Sequence, residues 1–140
     1  MIRQLQKADI EQVMQIWLSG NVDAHPFIPG EYWRSHYAQV QEQILQAEVF
    51  VCETDGQIRG FIGITDGYIA GIFVDGNYRS CGIGRQLLES AKQTHDTLVL
   101  NVYKKNQRAV LFYLREGFSI VSEGLDEGTG ETEYTMQLKC

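Results

Sequence analysis

The sequence lacks the features that mark a membrane-spanning, disulfide-bonded or nucleic-acid-binding protein. No run is long and apolar enough to span a bilayer, and the first residues show no signal-peptide pattern. The three cysteines, Cys52, Cys81 and Cys140, are odd in number and none has C-x-x-C spacing, so we expect reduced thiols and no metal site. A formal net charge of -6 argues against nucleic acid as a partner. We therefore expect a cytoplasmic protein without membrane association.

The 140 residues suit a single domain, 1–140, and no repeat, linker or low-complexity tract divides them. Proline is scarce, and both prolines, Pro26 and Pro29, fall in one segment that should be a stiff loop. The acidic balance suits cationic substrates such as amines. It is also common in enzymes of other kinds, so charge alone does not select a function.

Seven segments have the alternation or the apolar content of β-strands. They are expected at residues 2–5, 49–53, 58–65, 68–74, 97–102, 119–125 and 133–138. Asp55-Gly56 and Asp66-Gly67 are hairpin turn signals, so the second, third and fourth strands should form an antiparallel meander. A helix separates the fourth strand from the fifth, and this order implies a parallel pair with a right-handed crossover. We expect an α/β fold with a mixed, mostly antiparallel sheet and one parallel pair, flanked by helices.

Apolar residues recur at helical spacing in four segments. The first helix should follow Asp9, which with Gln12 resembles a capping box, and should end at Gly20-Asn21, before a loop over residues 21–30. The other three helices are expected to contain Trp33, Tyr37, Val40 and Ile44; then Ile83, Leu87, Leu88 and Ala91; and finally residues 106–116, closed by Gly117.

The fourth strand and the glycine loop after it organise the chain. Gly71 in that strand suggests a β-bulge, or a place where another backbone or a ligand comes close. In the loop, Gly82 and Gly84 leave amides at a helix N-terminus free to bind an anion, and Arg79 and Arg85 add positive charge. The order is not G-x-G-x-x-G, and no Gly-Lys-Ser/Thr follows, so this is neither common nucleotide loop. From the loop alone, a diphosphate site and a turn that needs two glycines for its backbone geometry are equally supported.

A second pattern lies in the last predicted helix. It reads Asn106-x-x-Ala109-x-x-Phe112-Tyr113-x-x-x-Gly117-Phe118. Together with Arg79-x-x-Gly82-x-Gly84, in this order and separated by a helix and a strand, it resembles the GNAT superfamily of acetyl-CoA-dependent N-acetyltransferases. The resemblance covers the whole chain. It is strongest to small bacterial members, through His25-Pro26-Phe27-Ile28, Tyr32-Trp33-Arg34 and Val102-Tyr103-x-x-Asn106-Gln107.

The resemblance implies acetyl-CoA as cofactor and direct transfer of its acetyl group, in a ternary complex, to a small amine, a peptide N-terminus or a lysine side chain. The two parallel strands would splay at their C-terminal ends and admit acetyl-CoA. Its diphosphate would lie on the amides from about Arg79 to Arg85, and its pantetheine arm would pair with the central strand. The residues implied in cofactor binding are Ile72, Phe73, Val74, Arg79, Cys81, Gly82, Ile83, Gly84, Arg85, Asn106 and Tyr113.

By the same resemblance, Tyr113 is the catalytic residue that protonates the departing thiolate, since a phenol is mostly protonated at neutral pH. A backbone N–H near Phe73 would stabilise the oxyanion. Taken without the family, Tyr113 is more readily a core aromatic. Asn106 is equally well interpreted as a simple helix N-cap, which does not exclude a role in binding the cofactor.

The general base and the acceptor pocket remain open. The candidates for the base are His25, Glu53, Asp66 and Glu123, and none stands out. The acceptor pocket is expected to contain His25, Phe27, Tyr32 and Tyr103, near the acidic segment 126–133. Aromatic rings and carboxylates together suit a cationic amine, although Trp33 in the same region is as readily a core residue.

Two other interpretations compete with an enzyme. The chain could be a non-catalytic acyl-CoA-binding or sensing module on the same fold, because the central strand carries no carboxylate, or less readily an interaction domain. The partners expected are acetyl-CoA and an amine acceptor, without nucleic acid or membrane. The chain is expected to be a monomer or a homodimer.

Overall fold

The computed structural model describes residues 1–79 and 81–140. The strands are β1 Ile2–Gln4, β2 Glu48–Thr54, β3 Gln57–Thr65, β4 Tyr68–Val74, β5 Thr97–Tyr103, β6 Ser119–Leu125 and β7 Thr132–Lys139. The helices are α1 Ile10–Ala24, α2 Gly30–Ser35, α3 Tyr37–Gln46, α4 Ile83–Lys92 and α5 Gln107–Arg115. Two short 3-10 turns lie at Lys7–Asp9 and Gly76–Tyr78.

The seven strands form one sheet in the order β1-β2-β3-β4-β5-β7-β6. Neighbouring strands are antiparallel except for β4 and β5, which are parallel. The Asp-Gly pairs correctly predict the meander of β2, β3 and β4, and α4 makes the crossover to β5. The expected mixed, mostly antiparallel α/β fold is confirmed.

The parallel strands β4 and β5 pair over a short distance only. Tyr68 pairs with Val99 and Ile69 pairs with Leu100. Farther along, the residues of β4 up to Val74 keep their pairing with β3 on the other side. The C-terminal half of β4 therefore has an open edge in the middle of the sheet.

Gly71 lies beside a β-bulge, as its position in the sequence suggests. The register of β3 and β4 shifts between the pairs Gly63–Gly71 and Ile64–Ile69. The close neighbour of Gly71 is the ring of Phe73, because a Cβ added to Gly71 would lie 2.3 Å from Cε2 of that ring. The glycine thus makes room for a side chain of its own strand, two residues away.

Helices pack on both faces of the sheet and form two cores. On one face, α1, α2 and α3 cover the strands up to β4, with Met14, Trp17, Trp33 and Phe61 in the core. On the other, α4 and α5 pack against Leu98, Leu100 and Met136, in a core that also holds Leu87, Leu88 and Tyr113. None of the helices described has both the length and the apolar character needed to cross a membrane.

The predicted end of the first helix at Gly20-Asn21 is wrong. α1 continues to Ala24, and the side-chain amide of Asn21 donates a hydrogen bond to the carbonyl of Trp17 at 2.9 Å. A Cβ at Gly20 would lie 3.3 Å from Cδ1 of Phe73. The glycine therefore serves close packing between α1 and β4, and it does not terminate the helix.

The predicted capping box at the start of this helix is also wrong. The Asp9 carboxylate accepts hydrogen bonds from the Arg3 guanidinium at 2.8 and 3.0 Å and from the Gln6 amide at 2.8 Å. Arg3 thereby holds the pKa of Asp9 below its usual value. Gln12 accepts a hydrogen bond from the amide of Ile58 in β3, at 3.0 Å.

The second predicted helix is divided into α2 and α3 at His36. The imidazole Nδ1 of His36 lies 2.6 Å from the carbonyl of Tyr32, and the hydroxyl of Ser35 donates to the same carbonyl at 2.8 Å. These side chains satisfy a carbonyl at the end of α2, so the chain can bend there before α3.

Candidate active site

A cleft of about 870 Å³ opens where β4 and β5 diverge. Four elements line it: the open edge of β4, the start of α4, the start of α5, and the end of α1 with the loop that follows. The residues implied in cofactor binding line this cleft, with the exception of Cys81, whose side chain is exposed. Ser80, which falls in the same predicted loop, lies outside the described residues.

The start of α4 presents open backbone amides to one end of the cleft. Gly82 precedes the helix with a φ of +82°, in the left-handed region that favours glycine. The first amides of a helix have no partner within the helix, so those of Ile83, Gly84 and Arg85, which have no backbone partner among the residues described, can bind an anion. The amide of Gln86 already donates to the carbonyl of Gly82 at 3.1 Å. A Cβ at Gly84 would lie 3.4 Å from the Phe112 ring, which is ordinary contact, so the cleft has room there.

Two arginines flank this end of the cleft. Arg79 lies 3.9 Å from the Asp23 carboxylate, and Arg85 lies 3.9 Å from the Glu116 carboxylate. Both are loose contacts at the surface, where an ion pair contributes little to stability. The guanidinium groups are therefore available to an anion in the cleft.

Tyr113 lies deep in the cleft wall. Its side chain is 7% exposed, and its ring packs against Phe112 and Phe118 with centroids 5.2 and 5.4 Å away. Burial, with a smaller contribution from Tyr68, raises the pKa of the Tyr113 hydroxyl well above its usual value. The phenol is thus fully protonated at neutral pH and can donate a hydrogen bond or a proton.

Asn106 caps α5 and also reaches across the cleft. Its side-chain oxygen accepts from the amide of Ala109 at 3.3 Å, which confirms the N-cap interpretation. Its side-chain nitrogen lies 3.2 Å from Nε2 of His25. Since an amide NH₂ can only donate, His25 Nε2 accepts this hydrogen bond.

His25 is buried, although a histidine in a predicted loop is usually a surface residue. It is 8% exposed and stacks on Trp33 with centroids 5.3 Å apart. Burial lowers the pKa of His25, so the imidazole is neutral at neutral pH. Its Nδ1 is buried and has no hydrogen-bond partner among the residues that the structure describes.

The other candidates for the base are not among the cleft residues described. Glu53 pairs with Arg3 at 2.8 Å, and Glu123 lies 3.8 Å from Lys104. Asp66 occupies the β3–β4 turn with a φ of +51°.

The four residues expected in the acceptor pocket form one aromatic cluster with Trp33. His25 and Phe27 line the cleft, and their ring centroids lie 5.1 and 5.8 Å from that of Tyr103. Tyr32 joins through Trp33, with centroids 5.0 Å apart. The Tyr103 hydroxyl donates to the Asp126 carboxylate at 2.5 Å, which connects the cluster to the acidic segment.

Sequence reasoning did not single out Glu133 within the acidic segment 126–133, and it missed Tyr68. Glu133 is the register partner of Tyr103 across β5 and β7. Tyr68 stands at the start of β4, and burial followed by the charge of Glu133 raises the pKa of its hydroxyl. The pairing of β5 with β7 places Glu133 opposite Tyr103, and that pairing has no signal in the sequence.

Comparisons with known proteins agree with this geometry. The family profile described as "Acetyltransferase (GNAT) domain" matches residues 46–120, which include β4, α4 and α5. The curated peptidyl-lysine N-acetyltransferase YiaC of Escherichia coli K12 is 38% identical over 123 residues, covering 86% of this chain and 84% of YiaC. The peptidyl-lysine N-acetyltransferase YjaB of the same strain is 28% identical, covering 98% of this chain and 94% of YjaB. The solution structure of apo-form YjaB from Escherichia coli has a TM-score of 0.86 at 26% identity, covering 98% of this chain and 95% of that one.

Proposed function

Because this chain belongs to the GNAT family of acetyltransferases, we propose that it transfers the acetyl group of acetyl-CoA directly to the side-chain amine of lysine in proteins or peptides. Family membership confirms the resemblance indicated by the motifs, and it makes the chain an acetyltransferase with acetyl-CoA as donor. The names of YiaC and YjaB support lysine over the small amines and peptide N-termini that the sequence left open. Bacterial relatives and three free cysteines support the bacterial cytoplasm as the location.

The residues of the cleft fit acetyl-CoA by their chemistry. The open amides at the start of α4, with Arg79 and Arg85, suit the diphosphate. Gly82 and Gly84 keep that approach free of side chains. The open edge of β4, Ile72–Val74, offers backbone groups to the amides of the pantetheine arm.

The observation that carries the proposal is the Tyr113 hydroxyl, buried and protonated in the wall of this cleft. Bound acetyl-CoA supplies an activated thioester carbonyl and a sulfur leaving group. Tyr113 holds the proton that this sulfur needs as it departs. The raised pKa keeps this proton on Tyr113 until negative charge develops on the sulfur, which can then accept the proton as the carbon–sulfur bond breaks. The hydrogen bonds of Asn106 with Ala109 and with His25 hold the start of α5 in place. Because Tyr113 lies on α5, they also help to position its side chain in the cleft wall.

The test is the variant Tyr113→Phe with a lysine-containing peptide as acceptor. Phenylalanine fills the same volume, so we expect an unchanged fold and coenzyme A affinity, while kcat drops by about 10²–10⁴. Thiol release and peptide mass would be followed together. The matched control is Tyr37→Phe. It removes a hydroxyl from a tyrosine of α3 whose ring packs on Trp17 of α1, and it should keep the wild-type kcat.

Two other outcomes would contradict the role of Tyr113. A higher KM for acetyl-CoA with kcat intact would mean that the hydroxyl only binds the cofactor. Unchanged kinetics would mean that Tyr113 only packs. A wild-type enzyme that releases no thiol with any lysine peptide would refute lysine as the acceptor.

A further inference from the structure

The sheet has an uncovered area beside the acceptor cluster. Leu98, Leu100 and Val102 of β5 are buried on the face covered by α4 and α5. Because side chains alternate along a strand, Asn101 and Tyr103 point to the opposite face. That is the face on which α1, α2 and α3 cover the strands up to β4. β5 and β7 continue this face beyond the helices, where Asn101 is exposed and Glu133 is half-buried.

Five side chains turn this uncovered area into a groove, which we call the acidic groove. Its members are Tyr32 from α2, Tyr68 from β4, Tyr103 from β5, Asp126 from the β6–β7 loop and Glu133 from β7. Glu133 faces Tyr103 across the register of β5 and β7. The Tyr32 hydroxyl lies against Gly128 of the same loop, 2.9 Å from where a Cβ would be. Tyr68 is 39% exposed, so this side of the groove is accessible from solvent.

The acidic groove meets the cleft at the gap between β4 and β5. Tyr68 and Ile69 are the residues of β4 that pair with β5, and the gap opens immediately after them. Tyr113 lines the cleft. Tyr103 connects the groove to the same cleft, because its ring centroid lies 5.1 and 5.8 Å from those of His25 and Phe27, which also line it. The acidic groove therefore borders the cleft at this aromatic cluster.

The groove contains two carboxylates, Asp126 and Glu133, whose surroundings differ. The Asp126 carboxylate accepts hydrogen bonds from the Tyr103 hydroxyl at 2.5 Å and from the Gly128 amide at 3.0 Å. The lysines after β5 pair elsewhere: Lys105 with Glu131 at 3.0 Å and Lys104 with Glu123 at 3.8 Å. Burial, and then the charge of Asp126, raise the pKa of Glu133 above the usual value for a glutamate. Glu133 therefore binds a proton more readily than an ordinary glutamate does.

We propose that Glu133 is the base that takes the proton from the acceptor lysine, in an acidic groove that selects a cationic amine. This inference rests on the proposed function. An ammonium group is attracted by two carboxylates and by the faces of three tyrosine rings, all of which disfavour an anionic acceptor. A lysine side chain is long and unbranched, so it can cross the groove to the gap while its backbone stays outside.

The proton balance of the transfer is complete with two residues of this chain. Glu133 accepts one proton from the lysine ammonium, directly or through one water. The free amine nitrogen bonds to the acetyl carbon, the carbon–sulfur bond breaks, and Tyr113 gives its proton to the sulfur. The amide nitrogen loses its second proton to solvent. Glu133 then releases its proton to solvent and Tyr113 regains one, so each turnover releases one proton overall.

The acid limb of the pH profile should report Glu133. The base must be ionised, so kcat/KM should fall as the pH drops through its pKa, which lies above that of an ordinary glutamate. The titratable and charged groups around Glu133 are Tyr32, Tyr68, Tyr103 and Asp126, with the pair Lys105–Glu131 nearby. The tyrosines stay protonated over this range because the pKa of each is raised.

The experiment compares Glu133→Gln with Glu127→Gln, which removes an exposed carboxylate from the neighbouring loop. We expect Glu133→Gln to lower kcat/KM for a lysine peptide by about 10²–10³ and to abolish the acid limb. The control should stay within about twofold, the scale of an exposed charge. Calorimetry without acetyl-CoA should show peptide affinity lowered by about 3–10-fold in Glu133→Gln alone, since one attractive charge is lost.

A further variant, Glu133→Asp, keeps a carboxylate and covers the case in which the glutamine variant does not fold. It should retain the acid limb at reduced kcat. Weaker peptide binding with an unchanged acid limb in Glu133→Gln would overturn the base assignment, and so would an unaltered kcat/KM. If the wild-type enzyme acetylates no lysine peptide, the proposed function fails instead, so the two failures are distinguishable.

Discussion

Replacing Gly71 with alanine tests the packing that shapes the cleft wall. The new Cβ would lie 2.3 Å from Cε2 and 2.7 Å from Cζ of Phe73, so the ring has to move. That ring is stacked on Phe61 with centroids 5.2 Å apart, and it lies against Gly20 of α1. Overpacking of this kind costs about 1–3 kcal/mol. Loss of glycine from a strand returns about 0.5–1 kcal/mol through the unfolded state, so the net destabilisation should be about 1–2 kcal/mol.

Gly63 is the matched control, because it is the register partner of Gly71 in β3. A Cβ there would meet no atom within 4 Å. Gly63→Ala should therefore only reduce the conformational freedom of the unfolded chain, without overpacking the folded one, and should raise the free energy of unfolding by up to about 1 kcal/mol. Urea unfolding followed by the fluorescence of Trp17 and Trp33 would measure both variants. Phe73→Leu in the Gly71→Ala background should recover part of the loss, which a double-mutant cycle would quantify.

Equal stabilities of Gly71→Ala and Gly63→Ala would refute this reasoning, because the two variants differ only in what their Cβ meets. An additive cycle between positions 71 and 73 would do the same. Either result would mean that the ring of Phe73 is not confined by the glycine beneath it.

Two further predictions concern the cleft. Gly84→Ala should keep the affinity for coenzyme A, because its Cβ would make ordinary contact with Phe112. Gly84→Glu brings a carboxylate to the proposed diphosphate site, so calorimetry should show binding weakened at least about tenfold. Equal affinities of the two variants would contradict a diphosphate site at the start of α4. Burial lowers the pKa of His25 below its value of about 6.5 in the unfolded chain, so the unfolded chain binds more protons than the folded one. The free energy of unfolding should therefore fall as the pH drops below about 6.5, by at most about 1.4 kcal/mol per pH unit. Urea midpoints at about pH 7.5 and about pH 5.5 should differ less in His25→Phe than in the wild type, and equal differences would contradict the assignment.

Most strands could be predicted because their signals are local. The Asp-Gly turns fall where the structure has them, and both have the positive φ that such turns require. The end of α1 could not be predicted, because Gly20 looks like a helix terminator and serves instead to admit the ring of Phe73. That contact joins residues far apart in the chain, and no local pattern contains it.

The candidate site likewise contains residues that local motifs predicted and residues whose positions depend on contacts between distant parts of the chain. The glycine loop and Tyr113 belong to motifs of fixed spacing, so the residues that line the cleft on the proposed cofactor side could be named from the sequence. Glu133 lies in the acidic segment that the sequence indicated, but its position opposite Tyr103 depends on the pairing of β5 with β7, which no local pattern contains. The burial of His25 was equally hidden, because it depends on the rings of Trp33, Phe27 and Tyr103.

The open edge of β4 has a consequence for solubility. Unpaired strand edges at the margin of a sheet invite edge-to-edge aggregation, and proteins protect them with charges, prolines or short strands. Here the unpaired edge lies between two continuous halves of the sheet, so a strand from another molecule, with side chains on both faces, is too bulky to enter. A thin chain with amide groups and no branches is not excluded. The fold can therefore leave the N–H and C=O groups of this edge unpaired and accessible to a narrow ligand without exposing them to a strand of another copy of the chain.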